Sequence, residues 1–184
     1  MKNTINGIDV DAFQHVAECV SQNPNASKAS FNVETRRAVQ TRSVSTIKSY
    51  ELCGKTYERN FHIAADEPTD ILGTDTAPNP QELLMAALNA CMTVGYVAIA
   101  ASKGITVNKL EINTTGELDL RGFLGLDETV NPGYDEIEYS VFIDADATPE
   151  QLEEIHNAVI QTSPNFANLS RAIRMKPKLV VVQK

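Results

Sequence analysis

Apolar residues first recur at helical intervals. Val10, Phe13, Val16, Ala17 and Val20 share one face, which predicts an amphipathic helix over 10–21. Asp9 supplies its N-cap and the Asn23-Pro24-Asn25 cluster its stop. The period then changes to two. Phe31, Val33, Thr35 and Val39, then Val44, Thr46 and Tyr50, then Phe61, Ile63 and Ala65 read as three strands, with Gly54 between the later two. Residues 66–80 are rich in Pro, Gly, Asp and Thr and predict a loop. A long helix follows. Asn79 caps it, Pro80 takes its first position, Glu82 completes a capping box, and Lys103-Gly104 ends it. Alternation resumes over Leu110, Ile112, Thr114, Gly116, Leu118 and Leu120, read as one long strand, and over Ile137, Tyr139, Val141 and Ile143. Between them lies a 121–133 loop containing Phe123, Leu124 and Leu126. Thr148-Pro149-Glu150-Gln151 opens another helix, Ser163-Pro164 a short one, and Leu179–Val182 reads as a buried closing strand.

The order of elements predicts an α+β fold in one domain. Its centre is the long helix, whose stretch from Leu83 to Ser102 carries no charge over twenty residues. That is long enough to span a bilayer. Its alanine-rich content and the interruptions Asn89, Thr93 and Ser102 instead favour a helix buried by protein on nearly all sides, with no membrane association. A chain of 184 residues cannot easily surround such a helix, so a partner subunit is expected.

Composition narrows the function classes. Sixteen basic against 24 acidic residues give a formal charge of −8, which disfavours nucleic acid and anionic lipid as partners. Trp is absent and aromatics make up 6%, too few for a base-stacking platform. Cys19, Cys53 and Cys91 cannot all pair within one chain, and His15, His62 and His156 are scattered. Neither a disulfide framework nor a metal site is expected, and no cofactor motif is present. The opening MKNTINGIDVDAF has no basic-then-apolar export pattern, so the thiols predict a reducing cytoplasm.

Several residues admit a bland and a chemical reading. Cys91 is either a small core residue or a nucleophile, and the second requires a thiolate stabilised by a cation from elsewhere. Glu82 either closes the capping box or serves a site. About 100° per residue puts it on the opposite face from Cys91, roughly 13 Å along the axis, so a shared site would draw Glu82 from a partner chain. Ser163 reads as an N-cap. Arg36, Arg37, Arg42 and Arg59 read as solvated strand residues and are also the nearest cations in sequence. The histidines show no spacing that pairs them with serine or cysteine.

The run Asp66-Glu67-Pro68, Leu72-Gly73, Asp75–Pro80, Glu82-Leu83-Leu84, Ala86-Ala87-Leu88 and Ala90-Cys91, continuing through Lys103-Gly104-Ile105, resembles the OsmC/Ohr family. The resemblance covers about residues 30–184 and leaves 1–29 as an N-terminal helical extension. It implies an intertwined homodimer in which long central helices are wrapped by antiparallel-rich sheets. It also implies thiol-dependent reduction of organic hydroperoxides by a peroxidatic cysteine, matched by Cys91, near an Arg–Glu pair, with Glu82 matching the glutamate. The position of the family's resolving cysteine is Ser163, which excludes a disulfide cycle there. The loop over 66–80 also lacks the arginine that many members carry, leaving Arg36, Arg37, Arg42 or Arg59, with Arg37 and Arg42 as site candidates.

Two functions follow as expectations. One is a peroxide reductase in which Cys91 becomes a sulfenic acid, reduced by an external thiol or by Cys53 or Cys19. The other is a non-catalytic homodimer that binds a small apolar ligand in its interface cleft.

Overall fold

The structure, a computed structural model, describes residues 3–23 and 27–182. It begins with a hairpin of β1 (Thr4–Ile5) and β2 (Ile8–Asp9) leading into α1 (Val10–Gln22). Next come β3 (Ala29–Phe31), β4 (Glu34–Val39), β5 (Arg42–Leu52) and β6 (Lys55–Ala65). The rest is α2 (Pro80–Ser102), β7 (Val107–Gly116), α3 (Leu120–Phe123), β8 (Ile137–Ala145), α4 (Pro149–Thr162) and α5 (Pro164–Leu169). The α+β class expected from the sequence is the class observed.

Local chemistry explains the helix starts. Asp9 accepts from the Ala12 amide, and both expected capping boxes are closed, Asn79 with Glu82 and Thr148 with Gln151. Asn23 ends α1, while Pro24 and Asn25 of the expected stop lie outside the described residues. The hairpin before α1 adds to the expected elements, and its signal lies in Asn6-Gly7. These two residues take φ of +52° and +77°, the two-residue turn that Asn-Gly favours between apolar strands. Asn6 then bridges to the middle of the chain, donating from Nδ2 to the Ile105 carbonyl and accepting from the Val107 amide, both at 2.9 Å.

The core is built by one face of α2. Leu88, Met92, Tyr96 and Ala100 recur every four residues and pack against Ile155 and Val159 of α4, Ile105, and the inner side of β7 and β8. The polar interruptions of α2 find local partners. Asn89 donates to the Ile112 carbonyl and accepts from Thr114 of β7 at 2.5 Å, and Thr93 and Ser102 donate to carbonyls of their own helix. The helix is long and apolar enough to cross a membrane, and here it is the core helix. The expectation is that a single chain does not surround this helix. The chain covers one face only, and Val94 on the other side is 68% exposed.

The larger sheet stands apart from this core. β5 pairs along its whole length with β6 on one edge, and with β4 and β3 end to end on the other. None of its strands packs substantially on α2, α4, β7 or β8 among the described residues. Its Phe61 and Ile63 are left about half exposed.

Three strand readings are corrected. The one strand expected over Phe31 to Val39 is broken at residues 32–33 into β3 and β4, which pair with opposite ends of β5. β7 ends at Gly116, because Asp119 caps the Arg121 amide and turns Leu120 into α3; Leu118 and Leu120 therefore do not continue the strand. Leu179–Val182 is neither buried nor paired among the described residues, being 67–88% exposed.

Candidate functional site

Cys91 lies in the middle of α2, half-buried. Across from it, α4 ends and α5 begins at a single residue, Ser163. Its amide donates to the Val159 carbonyl at 2.8 Å, and its carbonyl accepts from Ala167 at 3.0 Å. Its hydroxyl oxygen accepts from the Phe166 amide at 3.3 Å, the expected N-cap. With that oxygen engaged, the hydroxyl hydrogen points to the sulfur, and Oγ donates to Cys91 Sγ at 3.3 Å. Ser163 is 4% exposed, so this donor is shielded from water. The structure thus brings together two of the sequence candidates that lie 72 residues apart.

Glu82 is not with them. Its carboxylate accepts from the Asn79 amide at 2.8 Å and closes the capping box at the exposed start of α2. Arg37 is exposed on β4 opposite Ser43. Arg42 begins β5 half-buried, and its Nε is buried with no hydrogen-bond partner among the described residues. Arg36 is paired with Glu34 at 2.6 Å. Arg59 is not merely a solvated strand residue, since its guanidinium lies 4.6 Å over the Tyr50 ring and 5.4 Å over that of Phe61. Within one chain, no arginine or lysine forms an ion pair with Glu82 among the described residues.

The loop joining the sheet to α2 is organised by Asp66, a residue that no local spacing singles out. It is 1% exposed and accepts six hydrogen bonds. They come from the Thr41 hydroxyl at 2.8 Å, the Glu67 amide at 2.9 Å, and the amides and hydroxyls of Thr74 and Thr76. The loop needs this anchor, since Leu72 and Asp75 sit in the left-handed region at φ +65° and +52°. Gly73 is required as well, because a Cβ there would fall 1.6 Å from the Glu67 carbonyl oxygen. Asn79 completes the link, donating to Glu67 at 2.7 Å while capping α2. Thr41, immediately before Arg42, ties the β4–β5 turn to the same hub.

The hydroxyl of Thr74, then that of Thr41 and the loop amides, hold the Asp66 carboxyl well below the usual carboxylate range, against the opposing effect of its burial. A lowered native value stabilises the fold above the unfolded-chain value near 3.8 and loses that contribution as pH falls through the lower native one. The urea midpoint of the wild-type protein is therefore expected to hold from pH 7 to 5 and drop toward pH 3. Asp66→Asn is expected to start lower and change less over the same range, and parallel curves would contradict the assignment.

Two other polar pairs lie off this site. Tyr96 and His156 share a hydrogen bond in the core, and burial pushes the Tyr96 phenol up to about 12. His15 Nε2 lies 3.6 Å from Cys19 Sγ on α1, which corrects the reading that no histidine pairs with a cysteine; their spacing of four is a helical neighbour spacing. No cluster fit to hold a metal is found among the described residues.

The fold that places this thiol and hydroxyl together is shared with solved structures. An OsmC-like protein from Mycoplasma pneumoniae superposes with a TM-score of 0.60 at 20% identity, over 77% of this chain and 87% of that one. An organic hydroperoxide resistance protein OsmC from Legionella pneumophila does so with a TM-score of 0.50 at 14% identity, over 77% and 91%. The OsmC-like protein family matches residues 73–178, more than half of the chain, and the chain belongs to that family. No curated protein matches it.

Proposed function

We propose that this protein is a single-cysteine redox protein that reduces organic hydroperoxides at Cys91. The observation that carries the reading is the Ser163 hydroxyl aimed at the Cys91 sulfur from a buried, fully bonded helix junction. In the proposed step the Cys91 thiolate attacks the terminal oxygen of the hydroperoxide. The S–O bond forms as the O–O bond breaks, and the departing alkoxide takes a proton to leave as the alcohol. Cys91 is then a sulfenic acid, two electrons more oxidised. One external thiol condenses with it and releases water, and a second displaces the mixed disulfide and restores the thiol. Ser163 holds the resolving position but forms no disulfide, so the reductant comes from outside. Its role is to donate to the sulfur. The name of the Legionella protein fits this chemistry.

The site is read as completed by a second copy of the chain in an intertwined homodimer. The uncovered face of α2, the sheet lacking a core of its own and the exposed tail from Leu179 to Val182 supply the apolar surface it would bury. Of the arginines, Arg42 is the choice for the cation at a partner's thiolate. Its buried Nε lacks an acceptor among the described residues, whereas Arg36 and Arg59 are engaged and Arg37 is solvated. Glu82, exposed at the helix start, would orient that cation from across the interface. Residues 1–29 are read as an extension on the OsmC-like domain of 30–184, and a thiol cycle of this kind fits a reducing cytoplasm.

Two measurements test this. Loss of cumene hydroperoxide in the presence of dithiothreitol is expected with the wild-type protein and absent with heat-denatured protein. Sedimentation equilibrium is expected to give twice the chain mass, and a monomer at micromolar concentration would remove the shared site.

A further inference from the structure

The segment entering β8 reads Tyr134-Asp135-Glu136-Ile137-Glu138-Tyr139, and the period of two along the strand sends Ile137 and Tyr139 inward and its acids outward. Gly116, the last residue of β7, makes room for Tyr134. A Cβ on Gly116 would lie 3.0 Å from two atoms of the Tyr134 ring, so the ring rests on bare backbone and forms a wall. Tyr134, Tyr139, Leu88 of α2 and Phe166 of α5 enclose a cavity of about 350 Å³. Tyr139 and Phe166 meet edge to face at 6.2 Å and 82°. The cavity falls within the size range of small-molecule sites, roughly 300–1,000 Å³.

Its rim is acidic. Asp135 and Glu136 are exposed and line both this cavity and an adjoining one, where Glu117 and Glu138 join them. None of the four forms an ion pair with lysine or arginine among the described residues. Asp135 accepts a neutral hydrogen bond, from Asn131 at 2.9 Å. Aromatic walls take an apolar body or the flank of a cation, while unneutralised carboxylates at the mouth attract positive charge and repel carboxylate or phosphate ligands.

From this arrangement we infer that the cavity binds an organic cation, a protonated amine whose aromatic or aliphatic body lies among Tyr134, Tyr139 and Phe166 and whose ammonium meets Asp135 and Glu136. The inference does not depend on the chemistry of Cys91. Phe166 belongs to both places, since its amide caps Ser163 and its ring walls the cavity.

Isothermal titration of the full chain with 2-phenylethylammonium chloride and with sodium 3-phenylpropionate compares similar bodies of opposite charge. Saturable binding of the amine is expected, at least about tenfold tighter than of the carboxylate, a factor that corresponds to about 1.4 kcal/mol. The double variant Asp135→Asn, Glu136→Gln changes exposed groups only and is expected to abolish that preference. Gly116→Ala, which displaces the Tyr134 ring, is expected to weaken the amine. No saturable amine binding, equal binding of the two probes, or a preference that survives the rim variant would each overturn the proposal.

Discussion

Replacing Cys91 by serine is expected to reduce dithiothreitol-dependent hydroperoxide consumption to background, a loss of at least about 100-fold, because a hydroxyl is a far weaker nucleophile than a thiolate. The substitution is close to isosteric. The new hydroxyl can still accept from Ser163, so α2 and its junction with α5 keep their hydrogen bonds. Far-UV circular dichroism and the thermal midpoint are therefore expected to match the wild type. Consumption that persists in a folded Cys91→Ser protein would move the chemistry to another thiol, with Cys19 beside His15 the first to examine.

A second large effect is expected from Ser163→Cys. The present Oγ–Sγ separation is 3.3 Å, and a disulfide needs about 2.05 Å between sulfurs. A cysteine side chain reaches further than serine along the same vector, and Ser163 is held by main-chain bonds at a helix junction. One equivalent of cumene hydroperoxide is then expected to convert both thiols into an intrachain disulfide, where the wild type stops at sulfenic acid. The product is lighter than the reduced variant by the mass of a hydrogen pair, and peptide mapping joins Cys91 to the cysteine introduced at position 163. A variant that instead accumulates sulfenic acid would show that the two side chains do not meet in solution.

How much of this was legible in the sequence depends on how local the interaction is. The capping boxes at Asn79–Glu82 and Thr148–Gln151 are written within four residues, and both helices begin where they should. Alternation locates β5, β6 and β8 for the same reason. The Asn6-Gly7 hairpin and the His15–Cys19 pair are equally local, and their signals stand in the sequence although the hydrophobic pattern does not draw the eye to them. Asp66 is different. Thr41 lies 25 residues before it, and nothing in an acidic, Thr-rich loop says which carboxylate folds inward. The Cys91–Ser163 contact joins the middle of one helix to the junction of two others, so only the family resemblance set the two residues in one site in advance. The exposed tail from Leu179 to Val182 departs from expectation, whereas the open face of α2 does not. Hydrophobicity says that a segment seeks cover, and not whether its own chain provides it.

In the proposed reaction the Cys91 sulfur takes the peroxide oxygen. Treating the reduced wild-type protein with one equivalent of cumene hydroperoxide, trapping with dimedone and mapping the adduct by peptide mass spectrometry tests it directly. The adduct is expected on Cys91 and is expected to be lost in Cys91→Ser; an adduct confined to Cys19 or Cys53, with Cys91 still a thiol, would contradict this assignment.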